Sequence, residues 1–371
     1  MKGRLAMKVL ISGGGTAGHI NPALAIAQKL QNEYNAEILF IGTEKGLENE
    51  LVPKAGFKIE YIEVSGLIRK LTLKNVTVVK KYLAAISKSK KIIKDFAPDV
   101  CIGTGGYVCA PVMSAAHSLK IPTLIHEQNV IPGVTVKLAA RFCDVLAISF
   151  SDTLKHMKPD VRKKCVLTGN PIREKMLSVS KEDARISLGL DERPLVVIFG
   201  GSLGAAIISN TTAELINSFD LSKIQLIFGT GKRYYASVLD KISSKPLGYS
   251  IKVVPYINNM EEVLPAADLC ISRAGALTVS ELTALGVPSV LIPSPNVAHN
   301  HQTFNARALE SEGASKMLPE SELTKETLYE TIFKILDDKN NLSKMSENSK
   351  RIGISDGTQK ICEQILSLIK K

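Results

Sequence analysis

His19 closes the run Gly13-Gly14-Gly15-Thr16-Ala17-Gly18-His19, inside the stretch ISGGGTAGHINPAL. An imidazole held at a strand-to-helix turn can take a proton from a hydroxyl group. The glycines before it have the Gly13-x-Gly15-x-x-Gly18 spacing of a dinucleotide-binding loop. A nicotinamide site would also want an acid at the end of the second strand, about 20 residues on. The expected second strand is Glu37–Gly42, and Glu44 follows a little past its end, an imperfect match. Glycines alone can serve only a tight turn, and a histidine can be a satisfied core residue. Beside so many glycines, His19 reads better as a base than as part of a pyrophosphate wrap.

Four further clusters have the composition of ligand loops. Gly103-Thr104-Gly105-Gly106-Tyr107 is a second glycine turn in the first half, and backbone N–H groups at such turns form anion nests. His126-Glu127-Gln128-Asn129 places four polar side chains directly after an apolar strand, where polar groups line a site or cap the next helix. In the second half, Gly200-Gly201-Ser202-Leu203-Gly204 precedes the densest cluster, Ser272 to Glu281 (SRAGALTVSE). Small residues there admit a ligand to a helix N-terminus, whose free N–H groups suit phosphate. Glu281, about one turn into that helix, can accept both hydroxyls of a ribose, or serve only as a helix-dipole partner. The loop Asn296–Gln302 offers sugar-hydroxyl contacts or plain surface. No DxD, HExxH or aspartate-rich metal loop occurs, so helix dipoles and basic residues must neutralise any bound phosphates. No cofactor is called for.

The elements that must position these clusters repeat. KVLISGGGTAGH is echoed by Leu195–Ala205, LVVIFGGSLGA, each an apolar run, a glycine turn and a helical pattern. Asp99-Val100-Cys101-Ile102-Gly103 leads to Ile121-Pro122, as Asp268-Leu269-Cys270-Ile271-Ser272 leads to Val287-Pro288. Two doubly wound α/β halves follow, each a Rossmann-like parallel sheet, with ligands beyond the carboxyl ends of the strands in a shared cleft. The expected domains are 1–173 and 174–354, with a last helix near 355–371 crossing back onto the first.

At 371 residues, with 45% apolar and 22% charged residues, the chain is globular and long enough for two cores. No run of 18 uncharged apolar residues spans a membrane. The start, MKGRLAMKVLISGGG, reads as a first strand of a cytosolic protein rather than a signal peptide. Six cysteines show no CxxC pairing and read as small buried hydrophobes.

The net charge of +11 is uneven. Residues 1–173 hold 25 Lys and Arg against 13 Asp and Glu; the rest is near neutral. Between Val64 and Lys94 lie nine basic residues and no acid. Val79, Tyr82, Leu83 and Ile86 form a helical apolar stripe there, after Leu67, Ile68, Leu71 and Leu73 in an expected loop. An ordinary amphipathic helix would look similar. The other reading is attachment to an anionic leaflet through this segment. Nucleic acid is the competing partner, but no nucleic-acid motif accompanies the charge.

Taken in order, GGGTAGHINPALAIA, TGGYVCAP, IHEQN, GNPIR, GGSLGA, SRAGALTVSE and HNHQTFNA resemble the MurG family of bacterial N-acetylglucosaminyltransferases along nearly the whole chain. The resemblance implies a GT-B fold and inverting, metal-independent transfer of GlcNAc from UDP-GlcNAc to lipid I, giving the β-1,4 linkage of lipid II. It also implies peripheral attachment at the cytoplasmic side of the membrane, with cell-wall synthesis proteins as partners. His19 resembles the proposed base on the acceptor 4-hydroxyl. Donor contacts carried over are Thr16, Ala17, Gly18, Asn129 to a GlcNAc hydroxyl, Arg173, Ser202 at a phosphate, and Ile257 at uracil. Ala276, Leu277, Thr278, Val279 and Ser280 offer a helix end to the diphosphate, Glu281 holds the ribose, and Gln302 contacts the sugar. Gly14, Gly15, Gly105, Gly106 and Tyr107 are the expected seat of the acceptor diphosphate. Ala17 replaces a glycine and Leu203 a glutamine common in the family, which touches fine contacts only.

Two other functions fit part of the pattern. A UDP-GlcNAc 2-epimerase of the same fold would need neither acceptor nor basic patch. A lipid-diphosphate-binding module without catalysis would tolerate loss of His19 and Glu281. An NAD oxidoreductase explains neither the second-half cluster nor the duplication.

Overall fold

Residues 6–64, 74–201, 203–242 and 250–370 are described by a computed structural model. The chain divides into two compact units: one runs through Ile172 and resumes at Asp356, and the other is Arg173–Ser355.

The first unit is built on a seven-stranded, all-parallel sheet. Its strands are β1 (Lys8–Gly13), β2 (Glu37–Gly42), β3 (Lys58–Tyr61), β4 (Val100–Gly105), β5 (Thr123–Glu127), β6 (Val145–Ile148) and β7 (Cys165–Leu167). Their spatial order is β3-β2-β1-β4-β5-β6-β7, so the direction of winding reverses between β1 and β4. Near-continuous apolar strands are what a sheet covered on both faces requires. Leu10, Ile41, Cys101 and Ile125 face one layer, with Ile92 and Ile93 of the helix Lys74–Phe96. Val9, Ile11, Phe40 and Ile102 face the other, with Ile20, Ile26 and Leu30 of the helix Ala17–Tyr34. Ile361, Cys362 and Ile365 of the terminal helix Gly357–Ile369 complete that second layer. Gly357 lies so close to the turn after β7 that a Cβ there would sit 2.4 Å from the Asn170 carbonyl oxygen.

The second unit repeats the plan with six parallel strands, β8 (Leu195–Phe199), β9 (Gln225–Gly229), β10 (Ile251–Val254), β11 (Leu269–Ser272), β12 (Ser289–Leu291) and β13 (Ser315–Met317). The order is β10-β9-β8-β11-β12-β13, again reversing between the first strand and the fourth. The echo read from the sequence extends to individual hydrogen bonds. Asp99 Oδ2 accepts the Lys8 N–H at 2.8 Å, and Asp268 Oδ2 accepts the Leu195 N–H at 2.7 Å. Likewise the Cys101 N–H donates to Pro122 O and the Cys270 N–H to Pro288 O, at 2.9 and 3.0 Å. In both units, then, an aspartate before the fourth strand clamps the start of the first.

Candidate functional site

In the first unit the two glycine turns interlock beside the reversal point, where ligands of such sheets bind. The β1–β4 register slips between Ser12 and Gly13, so that Gly13 pairs with Gly105 and Thr104 bulges. The bulge turns the Thr104 hydroxyl to donate to the His19 carbonyl at 2.8 Å. A Cβ on Gly13 would lie 1.9 Å from that hydroxyl, which is why glycine stands there. The Gly14 N–H donates to Gly105 O at 3.2 Å, joining the turns directly. Gly106, at φ +84°, has room for a hydrogen only: a Cβ would come within 2.2 Å of Gly14 O.

Thr16 begins the helix Ala17–Tyr34 without a side-chain cap, so its exposed first turn keeps N–H groups available. Gly15, Thr16 and Gly18 are exposed, Ala17 is half-buried, and Gly14 is buried beneath them. His19 is half-buried in that first turn, and its Nδ1 lies 3.1 Å from Gln128 Oε1. Burial, the larger effect, pulls the imidazole below the usual histidine range against the hydrogen bond to Gln128. A base neutral at physiological pH is the result. Tyr107 stands exposed just past the second turn.

The acid expected past β2 behaves differently from the reading of Glu44. Glu44 is exposed, whereas Glu48, four residues on, is buried. Its Oε2 accepts the Gly15 N–H at 2.8 Å, and its Oε1 accepts the Thr43 N–H and hydroxyl at 3.0 and 2.7 Å. That carboxylate is committed to shaping the glycine turn. A nicotinamide reading therefore loses the acid it needs for a ribose.

The HEQN run divides by function once its partners are seen. Glu127 is buried; its Oε1 accepts the Asn129 N–H at 2.9 Å and its Oε2 the Gly133 N–H at 2.9 Å. Burial pushes its carboxyl up, against those N–H groups, which favour the ionised form. Glu127 thus holds the turn that carries half-buried Asn129, whose Nδ2 also meets Glu127 Oε1 at 3.3 Å.

In the second unit, Ala276–Leu285 is the helix after β11, with Gly275 before it and no side-chain cap. Ala276, Leu277 and Thr278 form the first turn of that helix. Val279 and Ser280 do not belong to that end. The Val279 N–H is taken by Gly275 O at 3.0 Å, and both residues are buried among the helix's neighbours. Glu281 lies a turn and a half in, beside exposed Arg173, with Nη2 3.4 Å from Oε1. Gln302 Oε1 accepts the Ser294 N–H at 2.8 Å and pins the loop after β12. Arg273 holds the same loop from below, donating to Ile292 O and Pro293 O at 3.2 and 3.1 Å. Ile257 is buried, with its side chain against Gly229 at the end of β9. Ser202 lies outside the described residues. Glu48, Gln128 and Arg273 are the residues that sequence reading did not assign to the site.

The basic helix Lys74–Phe96 splits its expected stripe. Val79 and Leu83 are 52% and 60% exposed, while Tyr82 and Ile86 are half-buried and Ala85, Ile92 and Ile93 form the core face. Lys80, Lys88, Lys91 and Lys94 are exposed beside them, whereas Lys81 Nζ meets Glu63 at 2.5 Å, so part of the charge is already neutralised. The preceding loop residues Leu67, Ile68, Leu71 and Leu73, with Arg69 and Lys70, lie outside the described residues. No helix among the described residues is long and apolar enough to cross a membrane.

Comparison with known proteins agrees with both units. Residues 9–148 match the glycosyltransferase family 28 N-terminal domain, and residues 195–361 match its C-terminal domain. The UDP-N-acetylglucosamine--N-acetylmuramyl-(pentapeptide) pyrophosphoryl-undecaprenol N-acetylglucosamine transferase of Acetivibrio thermocellus is 52% identical over 98% of this chain and 99% of its own. The crystal structure of Acinetobacter baumannii MurG superposes with a TM-score of 0.80 at 29% identity, covering 97% of this chain and 99% of that one. A UDP-GlcNAc 2-epimerase from Neisseria meningitidis, bound to UDP-GlcNAc, shares the fold at TM-score 0.66 but only 14% identity, over 97% of this chain and all of the other. With both its domains matched and half its residues shared along the full length, this chain belongs to glycosyltransferase family 28, in the MurG family of N-acetylglucosaminyltransferases.

Proposed function

We propose that the chain moves GlcNAc from UDP-GlcNAc to the 4-hydroxyl of MurNAc in undecaprenyl-diphosphoryl-MurNAc-pentapeptide, forming lipid II for peptidoglycan. The observation that carries the chemistry is His19, an imidazole kept neutral by burial in the first turn of an uncapped helix. In this reading His19 Nε2 takes the proton of the acceptor hydroxyl as that oxygen bonds to the anomeric carbon. The bond from that carbon to the diphosphate breaks, and its electron pair leaves with UDP. Attack opposite the leaving group inverts the anomeric centre. The helix end at Leu277 and Thr278 stabilises the charge developing on the diphosphate, so no metal ion is required for that task. Glu281 accepts the ribose hydroxyls and Arg173 approaches the nucleotide, with uracil at the backbone of Ile257. Gln302 and Asn129 read the sugar. The Gly14 and Gly15 N–H groups are already taken by Gly105 O and Glu48 Oε2, so the acceptor diphosphate falls to the turn at Gly105 and Gly106, with Tyr107 beside it.

Exposed Val79 and Leu83 among Lys80, Lys88 and Lys91 support attachment to an anionic cytoplasmic leaflet, where a polyprenyl-linked acceptor is found. The deciding experiment follows UDP-GlcNAc with and without a short-chain lipid I analogue, in EDTA. Donor consumption that depends on the acceptor, with a β-configured product, is expected. Conversion to UDP-ManNAc without acceptor would instead identify an epimerase.

A further inference from the structure

We infer that Gln128 is a positioning residue that fixes the tautomer of His19, so that the imidazole presents its lone pair on Nε2. The inference rests on reading His19 as the base, and a buried chain of hydrogen-bonded side chains carries it.

Gln128 is 2% exposed at the carboxyl end of β5. Its Nε2 lies 2.9 Å from Thr104 O and 3.2 Å from His126 O, and both are acceptors only. Turning the amide over would set its own carbonyl against two others, so the NH2 group must face them. The same Nε2 is 3.0 Å from His126 Nδ1, which must then be an acceptor without a hydrogen. The proton of a neutral His126 sits on Nε2, and that atom has acceptors for it: Gly169 O at 3.2 Å and Ser149 Oγ at 3.1 Å. Ser149 can receive because its own hydrogen goes to Glu127 O at 2.8 Å. Burial, the chief cause, pulls His126 down to about 4 and keeps it neutral, as the chain requires.

With the NH2 group facing Thr104 and His126, Gln128 Oε1 is left facing His19 Nδ1 at 3.1 Å. An oxygen acceptor there demands Nδ1–H. Nε2 is consequently the nitrogen with the lone pair. A free imidazole side chain favours the opposite tautomer, with hydrogen on Nε2, in which the base would be occupied. When Nε2 takes the acceptor proton, the imidazolium still donates from Nδ1 to Gln128 Oε1, so the amide serves both charge states.

The test is 15N NMR of the whole protein carrying 15N-histidine, above the titration of the rings, with signals assigned by His19→Gln and His126→Gln. The expected result is opposite tautomers: pyrrole-type Nδ1 and pyridine-type Nε2 for His19, and the reverse for His126. His19 protonated on Nε2 in the unaltered protein would overturn the inference. Gln128→Met should shift His19 toward the Nε2–H form and lower kcat by about tenfold or more, with the KM for UDP-GlcNAc unchanged. An unshifted tautomer in Gln128→Met would count against it. Full transfer by His19→Ala would overturn the base reading and the catalytic meaning of Gln128, while the NMR result would stand as a separate fact.

Discussion

Arg173 and Glu281, 108 positions apart in the chain, meet with Nη2 3.4 Å from Oε1. Desolvation pushes the Glu281 carboxyl above the usual carboxylate range, and Arg173 offsets part of that shift. The folded state thus favours the protonated acid more than the unfolded chain does. The stability it contributes is present below about 4.5, the ordinary glutamate value, and is lost as pH rises through the folded value.

At neutral pH the ionised Glu281 therefore costs stability and is retained for another reason, which we assign to the donor ribose. Glu281→Gln should weaken UDP binding by about 1–3 kcal/mol, through loss of a charged acceptor, without lowering the melting temperature at pH 7.5. Titration calorimetry and a thermal melt on the same preparation check both halves. A lower melting temperature with unchanged UDP affinity would make Glu281 structural.

The interlocked turns predict an unequal response to the same substitution. Gly15 and Gly106 both have φ +84°, but a Cβ on Gly15 meets no atom within 4 Å, whereas one on Gly106 meets Gly14 O at 2.2 Å. Gly15→Ala should cost only the left-handed backbone penalty, about 1–2 kcal/mol. Gly106→Ala should cost that and the displacement of the first turn besides. Denaturant midpoints in the order wild type, Gly15→Ala, Gly106→Ala are expected; equal midpoints for the two variants would contradict the interlock.

Much of this was legible in the sequence. Apolar runs ending in glycine marked the strands, and the Asp99 and Asp268 echoes marked the duplication down to matching hydrogen bonds. Glu48 was not legible, because an acid six residues beyond the strand end carries no periodic signal and its partner, Gly15, is 33 positions away. Gln128 stood in plain view inside HEQN, but its role depends on Thr104 arriving from the neighbouring strand. The stripe at Val79, Tyr82, Leu83 and Ile86 had helical spacing, yet spacing does not say which side a neighbouring helix covers. Ala85, Ile92 and Ile93 took the core, and Val79 and Leu83 were left outside.

Two partly or wholly buried histidines set an acid sensitivity. Burial depresses both His19 and His126, the latter to about 4, while an unfolded histidine titrates near 6.5. The unfolded chain therefore binds more protons between those values, and stability should fall as pH drops from about 6.5 toward 4. Urea midpoints across that range should decline, and His126→Gln should flatten the decline even if its midpoint at pH 7.5 is lower. An unchanged slope in the variant would place the acid sensitivity elsewhere.

Membrane attachment gives a graded prediction. Neutralising Lys80, Lys88 or Lys91 to Met should each weaken binding to anionic vesicles by about 1 kcal/mol, and added salt should shrink the difference. Lys81→Met should cost less, because Glu63 already lies 2.5 Å from that ammonium. Vesicle co-sedimentation at two salt concentrations reads the series. Four equal losses, or none, would remove this helix from the membrane contact.

The central claim is that His19 drives a sugar transfer onto a lipid-linked hydroxyl. Its most direct test is transfer of labelled GlcNAc from UDP-GlcNAc to a short-chain lipid I analogue in EDTA, comparing wild type with His19→Ala. The account predicts a lipid-extractable product from the wild type and a fall of about 10²-fold or more in kcat for the variant, with UDP binding intact. Wild-type rates from His19→Ala would contradict it.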